Sequence, residues 1–165
     1  MADEAAGEHA MSGGSTVVSR RGDVVLRQSR AWSKTVLTLL RHLEEEGFPG
    51  SPRVIGEGFD AEGREVVSFI DGQSPHPYAW TDEGAAAVGG LLRQLHEATA
   101  SFKPSSDAVW MPWWGRDADG SERIIGHCDA APWNIIARGG RPIGLIDWDR
   151  RVRSICALRS RKQRG

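Results

Sequence analysis

The residues with the clearest potential for chemistry lie in the second half of the chain. His127, Asp129 and Asn134 form an H-x-D-x-x-x-x-N pattern, and Asp147 follows 13 residues after Asn134. Two β-like runs joined by Arg-Gly-Gly-Arg separate Asn134 from Asp147, which predicts a hairpin that returns the chain to its starting point. The spacing therefore predicts that Asp129, Asn134 and Asp147 face one site.

Two carboxylates and an amide at this spacing suit phosphoryl transfer. One carboxylate must orient the acceptor hydroxyl and take its proton, while Mg²⁺, which prefers oxygen ligands, neutralises the phosphate oxygens. In the kinase arrangement an Asp has the first role, and an Asn five residues later and an Asp after a hairpin hold the metal. The pattern predicts Mg²⁺-dependent transfer from a nucleoside triphosphate.

The first half of the chain must supply a β-rich scaffold. Ser33 is expected to cap a helix that ends at Gly47, with one broad apolar face. Hydrophobic runs and turn residues predict a hairpin of two strands at 16–19 and 23–27, and a second pair of strands at 53–58 and 65–70 joined by a turn. The Gly- and Pro-containing stretch that follows predicts a linker, with a hinge near 68–72.

The second half must supply the lobe that carries the polar motifs. Helical periodicity predicts a helix from Thr81 or Asp82 to Thr99. Three short strands are predicted around the motifs, at 123–126, 134–137 and 142–146. Together these elements predict an α+β fold of two lobes, with a ligand cleft between them.

The motif region resembles the aminoglycoside phosphotransferase family, which has the protein-kinase-like fold. GHCDAAPWNIIARGGRPIGLIDWD resembles the family's catalytic motif and metal-binding strand. LLRHLEEEGFPGSPRVIGEGFDAEGREVVSFIDG is similar to its N-lobe helix, strands and hinge, and LLRQLHEATASF to its first C-lobe helix. The resemblance runs from Val17 to Asp149.

The resemblance implies roles for six residues. Asp129 would be the catalytic base, and Asn134 and Asp147 would be the Mg²⁺ ligands. Phe69 and Ile70, with neighbouring backbone, would meet the adenine at the hinge. His127 would be structural, and Cys128 occupies a position that is usually a small or polar residue.

The resemblance also implies a basic N-lobe residue that holds the phosphates and pairs with a helix glutamate. Arg27 is the candidate for the basic residue. Its partner would be Glu44, Glu45 or Glu46, and the sequence does not choose among them.

Composition excludes several other classes of protein. Hydrophobic residues make up 39% of the chain, and no apolar run has the ~18–20 residues of a membrane helix. Two cysteines cannot form a disulfide framework, and the acidic N-terminus does not resemble a signal peptide, so a cytoplasmic location is expected. Residues 1–149 are acidic overall, so no nucleic-acid partner is expected. The seven basic residues after Asp149 belong to a tail that is expected to be disordered.

These observations predict four segments: a disordered tail at 1–15, an N-terminal lobe at 16–72, a partial C-terminal lobe at 73–149 and a disordered basic tail at 150–165. Since the family continues through further helices beyond Asp149, we expect a truncated C-terminal lobe. The expected activity is transfer of the γ-phosphate of ATP or GTP to a hydroxyl of a small molecule. The alternative is a non-catalytic remnant that at most binds nucleotide. The acceptor and the oligomeric state stay open.

Overall fold

The computed structural model describes residues 7–11, 17–112, 124–149 and 152–154. Within these ranges, no helix is both long and apolar enough to cross a membrane. The strands and helices are β1 His9–Ala10, β2 Val18–Arg21, β3 Val24–Arg27, α1 Ser33–Glu45, β4 Val54–Phe59, β5 Glu65–Ser68, α2 Asp82–Thr99, β6 Ile124–Gly126, β7 Ile135–Arg138, β8 Arg141–Leu145 and β9 Val152–Ser154.

The first half of the chain forms an antiparallel sheet in the order β1-β2-β3-β5-β4. The predicted β2–β3 hairpin and the β4–β5 pair are both confirmed. Five apolar residues of α1 are buried in the core, and they are those of the predicted face: Val36, Leu37, Leu39, Leu40 and Leu43. The periodicity of α1 therefore predicted its buried face correctly.

The end of α1 matches the prediction, and its start does not. Gly47 adopts a φ of +74°, and the Phe48 amide donates to Leu43 O over 2.8 Å, which closes the helix. Ser33 was expected to cap the helix, but it is the first helical residue and Trp32 precedes it as an N-cap without a side-chain bond. The Ser33 hydroxyl instead bonds the buried carboxylate of Glu65, a long-range partner that local sequence does not reveal.

The second half packs α2 against the strands that carry the polar motifs. The Thr81 hydroxyl accepts the Gly84 amide at 3.1 Å, so the predicted start of α2 is confirmed. Strands β7 and β8 pair as the predicted hairpin, and Gly139 and Gly140 have positive φ values in its turn. Thr99, at the end of α2, donates through Oγ1 to Ile125 O at 2.8 Å and so fixes β6.

One apolar core connects the two halves of the chain. Buried residues of α1 and its sheet form a single cluster with Leu91 and Leu95 of α2 and with Leu145 of β8. A backbone bond of 2.9 Å from the Leu145 amide to Gly50 O also ties the β7–β8 hairpin to the loop after α1. The hairpin is thereby positioned by the first half of the chain.

Short strands lie in both segments for which tails were predicted. His9–Ala10 pairs with β2, and Val152–Ser154 pairs with β6. Each pairs with a strand edge that would otherwise have no hydrogen-bonded neighbour. Amino-acid composition does not predict such pairing. The rest of the predicted tails (1–6, 12–15, 150–151 and 155–165) and Arg123 lie outside the described residues. The four segment boundaries stay predictions.

Gly72, in the predicted hinge, should not tolerate a side chain. A Cβ built there would lie 2.7 Å from Ala137 O and 2.6 Å from Ile136 Cγ2, because the chain runs directly against β7. The Ala137 oxygen is held by the Gln73 amide at 2.9 Å and cannot move freely. We expect Gly72→Ala to lower the free energy of unfolding by about 1–3 kcal/mol in urea titrations.

Gly89 provides the control for Gly72. It lies exposed in α2, and a Cβ built there would have no neighbour within 4 Å. Gly89→Ala should stabilise the chain by about 0.5–1 kcal/mol. Equal effects of the two substitutions would contradict close packing at the hinge.

Candidate active site

The loop between β6 and β7 has a rigid backbone built around Asn134. The Asn134 side-chain amide Nδ2 donates to Asp129 O at 2.9 Å, which closes the loop from one motif residue to the other. Pro132–Asn134 forms a single 3₁₀ turn, and Asn134 is buried. Because the amide nitrogen is used inside the loop, the Asn134 oxygen is the atom suited to a metal ion.

His127 connects this loop to the segment that carries Asp147. Its ring is 1% exposed, and Nε2 lies 2.9 Å from Ile146 O. A carbonyl only accepts hydrogen bonds, so Nε2 carries the proton and donates. The ring also packs edge-on against Trp148, with centroids 4.9 Å apart. These contacts support the predicted structural role.

Asp147 lies where the hairpin returns to the loop. The Ile146 backbone amide donates to the backbone carbonyl oxygen of Asn134 at 2.9 Å. The chain therefore returns to Asn134 one residue before Asp147. Asp147 adopts a φ of +57°, an uncommon conformation for a residue with a side chain. Trp148 anchors this turn, since its indole donates to Leu145 O at 2.6 Å and its side chain is buried. The Asp147 carboxylate is left 48% exposed.

Arg27 reaches this region from the end of β3. Its Nη2 lies 2.5 Å from Asp149 Oδ2 and 3.5 Å from Asp147 Oδ1. The Arg27 and Asp149 side chains are each 13% exposed. The basic residue predicted to contact phosphate is therefore next to the predicted metal-binding carboxylate.

The predicted pairing of Arg27 with a helix glutamate is wrong. Glu44 lies 3.9 Å from Arg53, and Glu46 accepts a hydrogen bond from Ser101. Glu44, Glu45 and Glu46 are exposed at the C-terminal end of α1, whereas the Arg27 guanidinium is directed to the loop after β8. Asp149 takes the place of the expected glutamate.

Asp149 is the residue that the sequence reasoning did not select. Its position was visible in the sequence, because Asp-Trp-Asp places acids two residues apart at Asp147 and Asp149. Its burial and its contact with Arg27, 122 residues away, distinguish Asp149 from an ordinary surface acid. That contact depends on the fold.

The two residues expected to contact adenine lie at the junction of the halves. The Phe69 amide donates to Asp23 O at 2.7 Å, and the Phe69 ring stacks under the Arg20 guanidinium at 3.6 Å. Ile70 packs over β8, where a Cβ on Gly144 would lie 2.7 Å from Ile70 Cδ1. The absence of a side chain at Gly144 lets Ile70 lie against the β7–β8 hairpin. Contact with adenine stays a prediction.

The donor set fits a hard cation such as Mg²⁺. The site offers a carboxylate from Asp147 and an amide oxygen from Asn134. In the described part of the chain there is no cluster of three or more His, Cys, Asp or Glu residues arranged for a metal. Mg²⁺ is commonly held by one or two protein ligands together with substrate phosphates and waters, so two protein ligands are sufficient.

Solved structures of small-molecule kinases are similar to this chain. An amicoumacin kinase in complex with AMP-PNP, Ca²⁺ and Ami matches 88% of the chain with a TM-score of 0.70 at 13% identity. The chain has the kinase-like fold. An ADP-bound aminoglycoside phosphotransferase matches 91% of this kinase-like chain with a TM-score of 0.61 at 15% identity. The predicted α+β kinase-like fold class is confirmed.

A protein relative adds a biological context. The chain is 53% identical over 137 residues, 83% of its length, to a trifolitoxin immunity protein of Rhizobium leguminosarum bv. trifolii. It spans 52% of that protein and 59% of the amicoumacin kinase. No protein-family model matches the chain.

Proposed function

We propose that this chain transfers the γ-phosphate of ATP or GTP to a hydroxyl group of a small molecule. The observation that carries the proposal is the pair of hydrogen bonds that draws Asp129, Asn134 and the Asp147 segment together. A loop that carries Asp129 and Asn134, bonded to the segment that carries Asp147, with Arg27 beside Asp147, supports a site for phosphoryl transfer. The kinase-like fold of the structural relatives supports the same chemistry.

In this proposal Asp129 works on the acceptor. Its carboxylate orients the hydroxyl and takes its proton as the acceptor oxygen forms a bond to the γ-phosphorus. The bond between that phosphorus and the bridging oxygen breaks, and the nucleoside diphosphate leaves with the electron pair. Asn134 and Asp147 would hold Mg²⁺, which supplies charge neutralisation of the phosphate oxygens when bound. Arg27 would contact the phosphates.

Protection from a toxin is a second candidate function. The similarity to a protein named as a trifolitoxin immunity protein favours it. The two candidates are compatible if the phosphate acceptor is the toxin. They are separate if the chain protects by binding alone, as a non-catalytic relative of the kinases would.

One experiment separates these readings. Purified chain with Mg-ATP and a panel of hydroxyl-bearing antibiotics is assayed for acceptor-dependent ADP formation. In parallel, cells that produce either the wild type or Asp129→Asn are exposed to trifolitoxin. Acceptor-dependent ADP formation supports the phosphotransferase, and its absence for every acceptor together with unchanged protection by Asp129→Asn would reject transfer as the function.

A further inference from the structure

We propose that Asp149 is a positioning residue: it holds Arg27 for the donor phosphates and takes the close contact that Arg27 would otherwise make with Asp147. This inference rests on the proposed function. It gives Asp149 the task for which a glutamate of α1 was expected.

The distances show which acid holds the guanidinium. Arg27 Nη2 lies 2.5 Å from Asp149 Oδ2, a close charge-assisted contact, but 3.5 Å from Asp147 Oδ1. Both contacts of Arg27 with the aspartates use Nη2, which leaves the donors on Nη1 and Nε suited to phosphate oxygens. The guanidinium is a rigid fork, and fixing one nitrogen therefore fixes the direction of the others.

Burial separates the roles of the two aspartates. The Asp149 side chain is 13% exposed, like Arg27, whereas Asp147 is 48% exposed. Within the described ranges, Asp149 Oδ1 is buried and has no hydrogen-bond partner. A buried oxygen is poorly placed to receive a hydrated cation, and Asp147 is accessible to one. The geometry thus favours Asp149 as the partner of Arg27 and Asp147 as the metal ligand.

Removing the charge of Asp149 should have a specific consequence. Arg27 would then have Asp147 as its nearest acid, and a guanidinium paired with Asp147 would compete with Mg²⁺ for that carboxylate. Both the phosphate contact and the metal contact would weaken, although neither is made by Asp149 itself. The effect of Asp149 should therefore depend entirely on Arg27.

A double-mutant cycle tests this dependence. The proteins are wild type, Arg27→Gln, Asp149→Asn and the double variant, and the probes are Mg-ATP and adenosine in equilibrium titrations. We expect each single variant to weaken Mg-ATP binding by about 10- to 100-fold, as for loss of a charged hydrogen bond. The double variant should bind Mg-ATP no more weakly than Arg27→Gln, and adenosine affinity should stay within about twofold throughout.

Glu97→Gln is the matched control. Glu97 pairs with Arg93 at 2.9 Å on the exposed face of α2. The substitution therefore removes an acid from an Arg–acid pair that lies outside the site. It should leave Mg-ATP affinity unchanged. Urea titrations of the same four proteins should also show coupling between Arg27 and Asp149 in the absence of nucleotide.

Three results would overturn the inference. Unchanged Mg-ATP affinity in Asp149→Asn would remove its role. A further loss when Asp149→Asn is added to Arg27→Gln would make Asp149 a metal ligand. An equal loss of adenosine affinity would make it a structural residue. If the wild-type chain itself bound no Mg-ATP, the proposed function would fail first.

Discussion

Asp129→Asn should abolish phosphate transfer and leave Mg-ATP binding intact. The substitution keeps the shape of the side chain and removes only the carboxylate that would orient the acceptor and take its proton. The Asn134 amide bonds the backbone oxygen of residue 129, so the loop keeps its hydrogen bond in the variant. Loss of a general base typically costs about 10²- to 10⁴-fold in rate, which we expect in kcat.

The readout for Asp129 is steady-state ADP formation beside equilibrium Mg-ATP titration. An unchanged nucleotide affinity shows that the fold and the metal site survive. Turnover in Asp129→Asn at the wild-type rate would contradict the assigned role, and the acceptor proton would have to go elsewhere.

Asp147→Asn should remove the Mg²⁺-dependent part of nucleotide binding. Asn tolerates the positive φ of this position, so the backbone at +57° is preserved while the charge is lost. Mg-ATP at a concentration of about 100 times its Kd should stabilise the wild type by about 2.7 kcal/mol, which raises its Tm by roughly 5–10 °C. The variant should show little of this shift.

Thermal melts with ATP, with and without Mg²⁺, measure the effect of Asp147. Glu97→Gln, which removes an acid from the exposed face of α2, is the control and should keep the full shift. A full Mg-ATP shift in Asp147→Asn would show that the metal binds elsewhere.

Sequence reasoning predicted the parts of the site that local spacing determines. The loop from Asp129 to Asn134, the hairpin with Gly139 and Gly140, and the return to Asp147 follow from turn chemistry and strand length. The order of the predicted elements indicated two lobes, the family resemblance implied the kinase-like fold, and the similarity to solved kinases confirms that fold.

The contacts that were missed join residues far apart in the chain. Arg27 meets Asp149 across 122 positions, and Ser33 meets Glu65 across 32. The family resemblance implied a glutamate of α1 as the partner of Arg27, and the local pattern indicated the helix N-terminus as the partner of Ser33. Burial decides these pairings, because a buried acid requires a donor, and sequence spacing carries no record of which acid becomes buried.

The most direct test of the account is a calorimetric titration of Mg-ATP into the purified chain beside Asp147→Asn. We predict saturable one-site binding to the wild type that requires Mg²⁺ and is strongly weakened in the variant. Absence of binding to a wild-type chain that melts cooperatively would contradict the proposal that Asn134, Asp147 and Arg27 form a nucleotide site.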